Sequence, residues 1–525
     1  MTHRLILLCL SAVSVSLGTV YSVHNTDPHH WGVILSAALD FIGGKSLFTE
    51  IYIQYGAGQP ILFKFLSYLV PINYTTIGII ASAVYAMNFP IIFASVKHIG
   101  NSTQAIVITA IAFLIHPFAI YPWPDYFAGL CISLSCYFLV AGNPDGTIVR
   151  RAIPGALLFL AFMFRNTYLL NIGSASLAYV VLSSFSQRPR QQDVYWAIGV
   201  FAALLGAYLG FLSWQGNLGH WYSQDFGAAT DQAGVGYGIG IGSVAKMISK
   251  LIFVEDLLSA IFLGLLLVSC YMILLMLVRS DKDRHPTGGA APGVVIFLSL
   301  LGCAGAAQAI FHQDIFRLQN AGMALYLGLA FFSKEVIPDR AHALVRRLVR
   351  LTFGVLIVAL AAKFPYVLTG TPHTSATWPI IALPVQSSFR SFAASDIPIF
   401  KFHRFQSAEQ EYYEGLRRYI CDGQREILNF TGDTTIPYLC PGQGSAVSLP
   451  IVGVQELRRI NEREADRVHA GAFKANEVIV AVTPPSLDAG IILKLVGTVE
   501  RPKSIRWMDG GSVSIFHVEP VASRP

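Results

Sequence analysis

One carboxylate and three histidines lie within the nine residues HNTDPHHWG, His24 to Gly32, directly after the first long apolar segment of the chain. A carboxylate at this point could act as a general base, and the histidines could form hydrogen bonds at an interface or contact a phosphate. Asp27 could also cap the following helix, since Asp before a proline at the first helical position is favourable. The two roles are compatible, and the chemistry open to Asp27 depends on the side of the membrane that it faces.

The composition indicates a polytopic membrane protein. Of the 525 residues, 54% are hydrophobic and only 13% are charged, whereas soluble domains carry roughly 25% charged residues. Apolar runs of about 20 residues, the length of a membrane-spanning helix, recur along most of the chain. A soluble protein is therefore excluded. The net charge of +6 does not indicate nucleic-acid binding, because the Lys and Arg residues are concentrated in short loops between the apolar segments.

The apolar segments predict a polytopic α-helical membrane protein with about eleven spans. Their approximate ranges are 4–23, 75–96, 103–121, 125–142, 151–169, 172–186, 194–213, 256–278, 292–311, 318–333 and 350–369. The first segment is interpreted as a retained signal anchor, because no small-x-small cleavage site follows its apolar core.

The distribution of positive charges predicts the orientation. With the N-terminus inside, the inner loops hold most of the cations: Arg4, Lys97, Arg150, Arg151, Arg188, Arg190, Arg279, Lys282, Arg284, Lys334, Arg340, Arg346, Arg347 and Arg350. We therefore expect a multi-pass inner (plasma) membrane protein with a cytoplasmic N-terminus. The HNTDPHHWG stretch and everything after about residue 370 would then face the periplasm or another extracytoplasmic space.

Residues 371–525 have the composition of a soluble domain, in contrast to the membrane domain predicted for 1–370. Helices are predicted at 407–421, 454–471 and 486–497, and strands at 426–430, 477–482, 504–508 and 512–518. This pattern predicts a small extracytoplasmic α/β domain. In an oxidising compartment its two cysteines, Cys421 and Cys440, would form a disulfide, and two buried thiols are the alternative.

The outer loop between the first two spans, residues 24–74, is too long to be a simple connector. The stretch WGVILSAALDFIGG has helical periodicity with an apolar face, which predicts an amphipathic helix in the membrane interface. A second short apolar helix is predicted from about Pro60, after the YGAG sequence that begins at Tyr55. Asp27 therefore lies just before the first of two juxtamembrane helices.

This loop resembles that of the GT-C membrane glycosyltransferases. The resemblance lies in an acidic residue after the first span, Asp27, and in the sequence GGKSLFTEIYIQYGAG, Gly43 to Gly58. Such enzymes, which include aminoarabinose transferases and protein O-mannosyltransferases, take sugars from polyprenyl-phosphate carriers. The resemblance covers about the first 60 residues, and further along only the layout of spans and exported tail. Many relatives have a second acidic residue beside the first, whereas Pro28 and two histidines follow here.

The resemblance implies that Asp27 is the general base that removes the proton from the acceptor hydroxyl. Attack on an anomeric carbon requires such a base, and a phosphate leaving group needs little assistance from an acid. One carboxylate can therefore suffice, unlike the paired acids of glycosidases. Because nucleotide sugars are cytoplasmic, an outward-facing transferase also needs a donor that has been carried across the membrane on a lipid.

The histidines do not predict a structural metal site, because His24, His29 and His30 lack the i,i+4 spacing of a helical zinc pair. The cofactor candidate is a divalent cation, Mg²⁺ or Mn²⁺, shared between a carboxylate and the donor phosphate. Such ions are often held by few protein ligands.

Charged residues near the ends of spans usually face a cavity and mark function. Arg165 and Arg317 are expected to bind the donor phosphate, since guanidinium groups match phosphate oxygens, with His312 as a third ligand. The alternatives are snorkelling, an Asp314–Arg317 pair, or a hydrogen-bonded loop histidine. The predicted outward-facing substrate cavity is lined by Asp125, Tyr55, His29, His220 and Asp314. Asp125 could instead simply cap its helix.

The sequence therefore predicts a hexosyl- or pentosyltransferase of the cell envelope. It would move one sugar from polyprenyl phosphate to a glycolipid, polysaccharide or protein, with inversion at the anomeric carbon. A transporter or flippase of lipid-linked sugars is an alternative, although no internal repeat of the kind common in transporters is evident. An O-antigen polymerase or ligase is another, although its large outer loop would typically come later in the chain.

Overall fold

The computed structural model describes most of the N-terminal half of the chain, one later helix and the C-terminal region. The described residues are 2–227, 292–312, 326, 327, 330 and 392–520, apart from 25, 54, 116–121, 143–145, 186–191, 422–424, 441–461, 484, 486–490, 504 and 506–510. The helices of the first part are α1 (Thr2–His24), α2 (His30–Ile42), α3 (Gly58–Ser67), α4 (Tyr74–Ile99), α5 (Ser102–Ile115), α6 (Pro124–Ala141), α7 (Ile148–Phe164), α8 (Tyr168–Phe185), α9 (Gln192–Trp214) and α10 (Leu218–Tyr222). Helix α11 (Pro292–His312) follows.

Four helices of the described residues, α1, α4, α6 and α9, are long and apolar enough to cross a membrane. They coincide with four of the predicted spans. Four more predicted spans fall on α5, α7, α8 and α11, which are helical as expected. The predicted spans 256–278, 318–333 and 350–369 lie wholly or almost wholly outside the described residues, so the number of about eleven spans stays a prediction.

The membrane helices pack in an order that brings distant loops together. Helix α1 packs on α4, α4 on α6, α6 on α7, and α7 on α9. Helix α4 begins with a capping box, in which the Asn73 side chain accepts from the Thr76 N–H and the Thr76 hydroxyl accepts from the Asn73 N–H. This exchange of bonds satisfies two main-chain donors at the helix start. Helix α6 begins with Pro124, which has no N–H, so this helix start has one main-chain donor fewer to satisfy.

The two helices predicted between the first and second spans are present as α2 and α3, which pack on each other. The glycines of the YGAG sequence allow this loop to approach α7. Gly56 has a φ of +149°, and a Cβ at this position would lie 2.5 Å from the Met163 carbonyl oxygen. A Cβ on Gly58 would lie 2.9 Å from the same carbonyl group. The motif thus places the Tyr55 main chain against the end of α7.

The C-terminal region, residues 392–520, contains two sheets and two described helices. Strands β1 (Phe392–Ala394) and β2 (Arg404–Gln406) form an antiparallel pair. Strands β3 (Glu426–Phe430), β4 (Glu477–Ala481), β5 (Ile491–Arg501) and β6 (Gly511–Pro520) form a sheet of order β3-β4-β6-β5, in which only β3 and β4 are parallel. The helices are α12 (Ser407–Ile420) and α13 (Glu462–His469).

Most described elements of this region agree with the sequence predictions, but the helix predicted at 486–497 is wrong. Residues from Ile491 onward form β5, which pairs with β6 from Ile491 to Arg501. The apolar spacing of IILKLVG fits a helix face as well as a strand, and the long antiparallel partner decides in favour of the strand. Gly497 lies at the irregularity in this pairing, where a Cβ would overlap the ring of Tyr419.

The structure joins Cys421, at the end of α12, to Cys440 in a disulfide, the pairing expected from the sequence. Cys440 follows a short 3₁₀ turn, Ile436–Tyr438. The disulfide therefore anchors the chain after β3 to the end of α12.

Candidate active site

Asp27 lies in a completely buried position just beyond the end of α1. Its peptide N–H donates to the hydroxyl oxygen of Tyr74, the first residue of α4, over 2.5 Å, and its carbonyl accepts from the Trp31 N–H. The N-cap of α2 is His29, not Asp27, and the His29 side chain makes no capping hydrogen bond. The Asp27 main chain is therefore fixed between α2 and the start of α4.

Aromatic rings pack on either side of this contact. The indole of Trp31 stacks on the ring of Tyr74, with ring centroids 4.9 Å apart. The ring of Phe400, from the C-terminal region, has its centroid 5.2 Å from that of Tyr74. Trp31 is completely buried, and its indole N–H has no acceptor among the residues that the structure describes.

The C-terminal region reaches the residue on the N-terminal side of Asp27. His403 Nε2 lies 3.1 Å from the hydroxyl oxygen of Thr26, and His403 Nδ1 lies 3.3 Å from the carbonyl oxygen of Ser22. Since a carbonyl can only accept, the Nδ1–H donates to Ser22 and Nε2 accepts from Thr26. Burial lowers the pKa of His403 to about 3, so this imidazole is neutral at physiological pH.

The C-terminal region also reaches the residues that follow Asp27. The hydroxyl of Thr434 donates to the carbonyl oxygen of Pro28 over 2.9 Å, and the Tyr438 hydroxyl donates to that of Ser36 over 3.2 Å. Asp27 is thus flanked on both sides by hydrogen bonds from a part of the chain almost 400 residues away.

A second cluster forms where α6 begins and α7 ends. Arg165 Nη1 lies 2.9 Å from Asp125 Oδ2, and their side chains are only 3% and 9% exposed. The guanidinium carbon of Arg165 lies 4.9 Å from the centroid of the Tyr55 ring, within cation–π range. The Tyr55 carbonyl in turn accepts from the Asn166 N–H over 2.7 Å. The sequence predicted these candidate residues around one cavity, and the structure brings Asp125, Arg165 and Tyr55 into contact.

The turn after α10 adds a second carboxylate to this cluster. The side chains of Asn166 and Trp221 donate to the carboxylate of Asp225, and burial raises the pKa of Asp225 to about 7. Its Oδ1 is buried and accepts no hydrogen bond from the described residues, and the same is true of Asp125 Oδ1. These oxygens are available acceptors for hydroxyl groups within the described part of the cluster.

Gln224, beside Asp225, fastens the first outer loop to this turn. Its amide oxygen accepts from the Ile53 N–H over 2.9 Å, and its amide nitrogen donates to the Phe48 carbonyl. His220 lies on α10 in the same stretch and is partly buried. Two loops that are far apart in the sequence therefore meet beside the Asp125–Arg165 pair.

Of the remaining predicted site residues, the structure places His29 and the main chain of His312. His312 is the last residue of α11, and its side chain is not described; Asp314 and Arg317 lie outside the described residues. His29 is partly buried at the start of α2. Within the described ranges, no group of three His, Cys, Asp or Glu residues could hold a metal ion.

Sequence reasoning missed four residues that position the site: Tyr74, His403, Thr434 and Gln224. Each acts through a contact between segments far apart in the chain, and no short motif marks such a contact. Tyr74 alone had a local signal, because an aromatic residue at the start of a span lies at the depth where outer-loop helices pack.

No protein-family model matches the sequence, and no curated protein matches it significantly. Among solved structures, the chain is similar to the apo oligosaccharyltransferase of Archaeoglobus fulgidus, with a TM-score of 0.46, 13% identity, and coverage of 91% of this chain and 69% of that chain. It is similar to ArnT from Cupriavidus metallidurans bound to undecaprenyl phosphate, with a TM-score of 0.41, 10% identity and 98% coverage of both chains.

A third similar structure is the oligosaccharyltransferase AglB from Archaeoglobus fulgidus in complex with an inhibitory peptide and a dolichol-phosphate. Its TM-score is 0.43 at 14% identity, and the similarity covers 92% of this chain and 69% of that chain.

Proposed function

We propose that this chain is a membrane glycosyltransferase that transfers a sugar from a polyprenyl-phosphate carrier to an extracytoplasmic acceptor. The observation that carries the proposal is the position of Asp27, a completely buried carboxylate that directly follows the first membrane helix. Its main chain is fixed by Tyr74 and flanked by hydrogen bonds from the C-terminal region. A fixed carboxylate at headgroup depth is what a general base for a lipid-linked donor requires.

In the proposed reaction, Asp27 accepts the proton of the acceptor hydroxyl as its oxygen bonds to the anomeric carbon. The bond from that carbon to the phosphate oxygen breaks, and its electron pair leaves with the polyprenyl phosphate. A single displacement of this kind inverts the anomeric configuration. The phosphate leaves without a proton from an acid, so one carboxylate is sufficient.

The Asp125–Arg165 cluster is proposed to hold the donor. An arginine has five N–H donors, so the contact with Asp125 leaves others for phosphate oxygens. The buried Oδ1 atoms of Asp125 and Asp225 could accept from sugar hydroxyls, with Tyr55 beside them. His29 and His220 are proposed to line the same cavity. Arg317, His312 and Asp314 remain proposals from the sequence alone.

A divalent cation, Mg²⁺ or Mn²⁺, is part of the proposal only as an ion shared with the donor phosphate. The unpaired buried oxygen of Asp125 fits a site in which phosphate and water supply most ligands. Bound there, the ion would neutralise charge on the leaving phosphate.

The proposed topology has an N-terminus in the cytoplasm, a membrane domain of residues 1–370 and an extracytoplasmic domain of residues 371–525. Support comes from the contacts of Thr434 and Tyr438 with the first outer loop, since contacting segments lie on the same side of the membrane. The acceptor, a glycolipid, a polysaccharide or a protein, would enter from that side.

The test uses membranes that contain the wild-type protein, Asp27→Asn or Asp40→Asn, each supplied with a panel of radiolabelled polyprenyl-phosphate sugars. Asp40 is the matched control, because it lies in the same outer loop and pairs with Lys45 over 2.9 Å. We expect wild type and Asp40→Asn to transfer one sugar, and Asp27→Asn to be slower by about 10²–10⁴-fold.

Each other outcome contradicts a defined part of the proposal. If the label stays on the carrier in all three samples while the lipid changes leaflet, the protein is a transporter. If Asp27→Asn transfers as fast as wild type, another residue is the base. If whole oligosaccharides are transferred, the protein is a polymerase or ligase.

A further inference from the structure

The segment Asp433–Cys440, called here the docking segment, lies against the loop that carries Asp27. Thr434 and Tyr438 donate to the carbonyl oxygens of Pro28 and Ser36, so the docking segment holds the main chain at one point just before α2 and at one point within it. Pro28 is the residue next to Asp27. The contact of Thr434 fixes the Pro28 carbonyl in the turn that precedes α2, and the direction of the Asp27 side chain depends on that turn.

Gly32 shows how close this approach is. A Cβ at this position would overlap the hydroxyl oxygen of Thr434 and lie 3.2 Å from the Thr435 methyl group. Glycine weakens a helix relative to alanine, so its presence inside α2 has a local cost. The packing against Thr434 explains the glycine, because no larger residue fits beneath the docking segment.

The docking segment is itself held in one conformation. Asp433 Oδ1 accepts from the Thr435 N–H over 3.0 Å and from the Thr435 hydroxyl, while the Asn429 side chain donates to the Asp433 carbonyl. The disulfide to Cys421 anchors the other end of the segment to α12. Because the docking segment is held in one conformation, it can fix the position of the loop that carries Asp27.

We propose that the C-terminal region contributes to the catalytic site. Thr434 is a positioning residue that fixes the location of Asp27 through its contacts with Pro28 and Gly32. This inference rests on the proposed role of Asp27 as the base. A shift of about 1 Å at a catalytic group can cost roughly 10²-fold in rate. Disturbing this contact should therefore lower kcat and leave the KM for the lipid donor nearly unchanged.

The test is a double-mutant cycle of Gly32→Ala and Thr434→Ala, with Gly199→Ala as control. Gly199 lies in α9, where an added Cβ meets nothing within 4 Å. Hydrogen exchange of residues 26–36 in the purified full-length chain reports docking without any assay of activity, and sugar transfer reports the position of Asp27.

We expect Gly32→Ala to increase exchange in residues 26–36 and to lower kcat by at least tenfold. Thr434→Ala should have a smaller effect, and the double variant should recover toward Thr434→Ala because the overlap is removed. The inference is overturned if Gly32→Ala matches Gly199→Ala in both measurements, or if the double variant is no better than Gly32→Ala. A different result separates the two proposals. If Gly32→Ala increases the exchange of residues 26–36 but the wild-type protein transfers no sugar, the proposed function is contradicted and the docking contact stands.

Discussion

The two clusters of functional residues hold their carboxylates in different ways. Around Asp27, the contacts described above are made to the main chain, by the hydroxyls of Tyr74 and Thr434. Asp125 is held through its own carboxylate, by Arg165. Contacts to the main chain fix the position of a residue, whereas the ion pair fixes the carboxylate of Asp125 itself. Changes at Tyr74 or Thr434 should therefore move the loop that carries Asp27, whereas a change at Arg165 acts directly on the charge of Asp125.

The clusters also differ in the sequence separation of the residues that contact each other. Asp125 and Arg165 come from neighbouring helices, and their pair is complete within the membrane domain. The loop around Asp27 depends on Thr434 and His403, which follow it by nearly 400 residues. Changes in the C-terminal region should therefore reach Asp27 and leave the Asp125–Arg165 pair intact.

The largest expected effect on stability comes from breaking the Asp125–Arg165 pair. Asp125→Asn should destabilise the protein by about 3–5 kcal/mol, because it leaves the Arg165 charge buried without compensation. Thermal unfolding in detergent measures this, and the double variant Asp125→Asn/Arg165→Gln should be more stable than Asp125→Asn.

The partly exposed pair Arg151–Asp193 provides the control for this experiment. Its atoms lie 3.5 Å apart, and both side chains are over a quarter exposed. Arg151→Gln should cost at most about 1 kcal/mol. If Asp125→Asn costs no more than Arg151→Gln, the Asp125–Arg165 pair does not stabilise this cluster as described.

The next largest effect is expected from the disulfide. Its cysteines are 19 residues apart, and opening a loop of this length should cost about 3 kcal/mol. Denaturant unfolding of Cys421→Ala/Cys440→Ala measures the loss. Amide hydrogen exchange of the same variant compares the two clusters. The exchange should increase around Asp27 and stay unchanged around Arg165.

Cys9→Ala is the control, because Cys9 is an exposed free thiol. Equal exchange around Asp27 in the wild type and the disulfide variant would show that the docking segment does not need its anchor.

The smallest effect, taken per unit of pH, is a change in stability that comes from Asp225. Burial raises the pKa of this carboxyl to about 7, against 3.8 in an exposed state. Between these values the folded chain holds a proton that the unfolded chain has lost. The contribution of Asp225 to stability is therefore complete below about pH 4 and is lost as the pH rises through 7, at no more than about 1.4 kcal/mol per pH unit.

Asp225→Asn should flatten this part of the stability profile, measured by thermal unfolding between pH 4 and 8. Asp40→Asn serves as control and should leave the slope unchanged. A slope in Asp225→Asn equal to that of the wild type would mean that another group titrates.

The sequence predicted the helices that follow from local hydropathy and periodicity. The spans at α1, α4, α6 and α9 follow from length and hydropathy, and α2 and α3 follow from periodicity and their flanking glycines. Strand β5 was misassigned because its apolar spacing fits two structures, and only pairing with β6 selects one. Pairing between segments is not encoded in a window of ten residues.

The same limit applies to the candidate site. Asp27, Asp125 and Arg165 could be selected because charged residues at the ends of apolar spans are costly and therefore informative. That Arg165 contacts Asp125, or that Thr434 covers Gly32, depends on how the helices and the C-terminal region pack. Gly32 looks like an ordinary helix residue until Thr434 is placed above it.

The most direct test of the central claim measures donor binding and sugar transfer on one preparation of Asp27→Asn, with the polyprenyl-phosphate sugar that the wild type uses. A general base acts in the chemical step, so we predict unchanged binding of the donor and a transfer rate lower by about 10²–10⁴-fold. Loss of donor binding in parallel with transfer, or transfer at the wild-type rate, would contradict the assignment of Asp27 as the base.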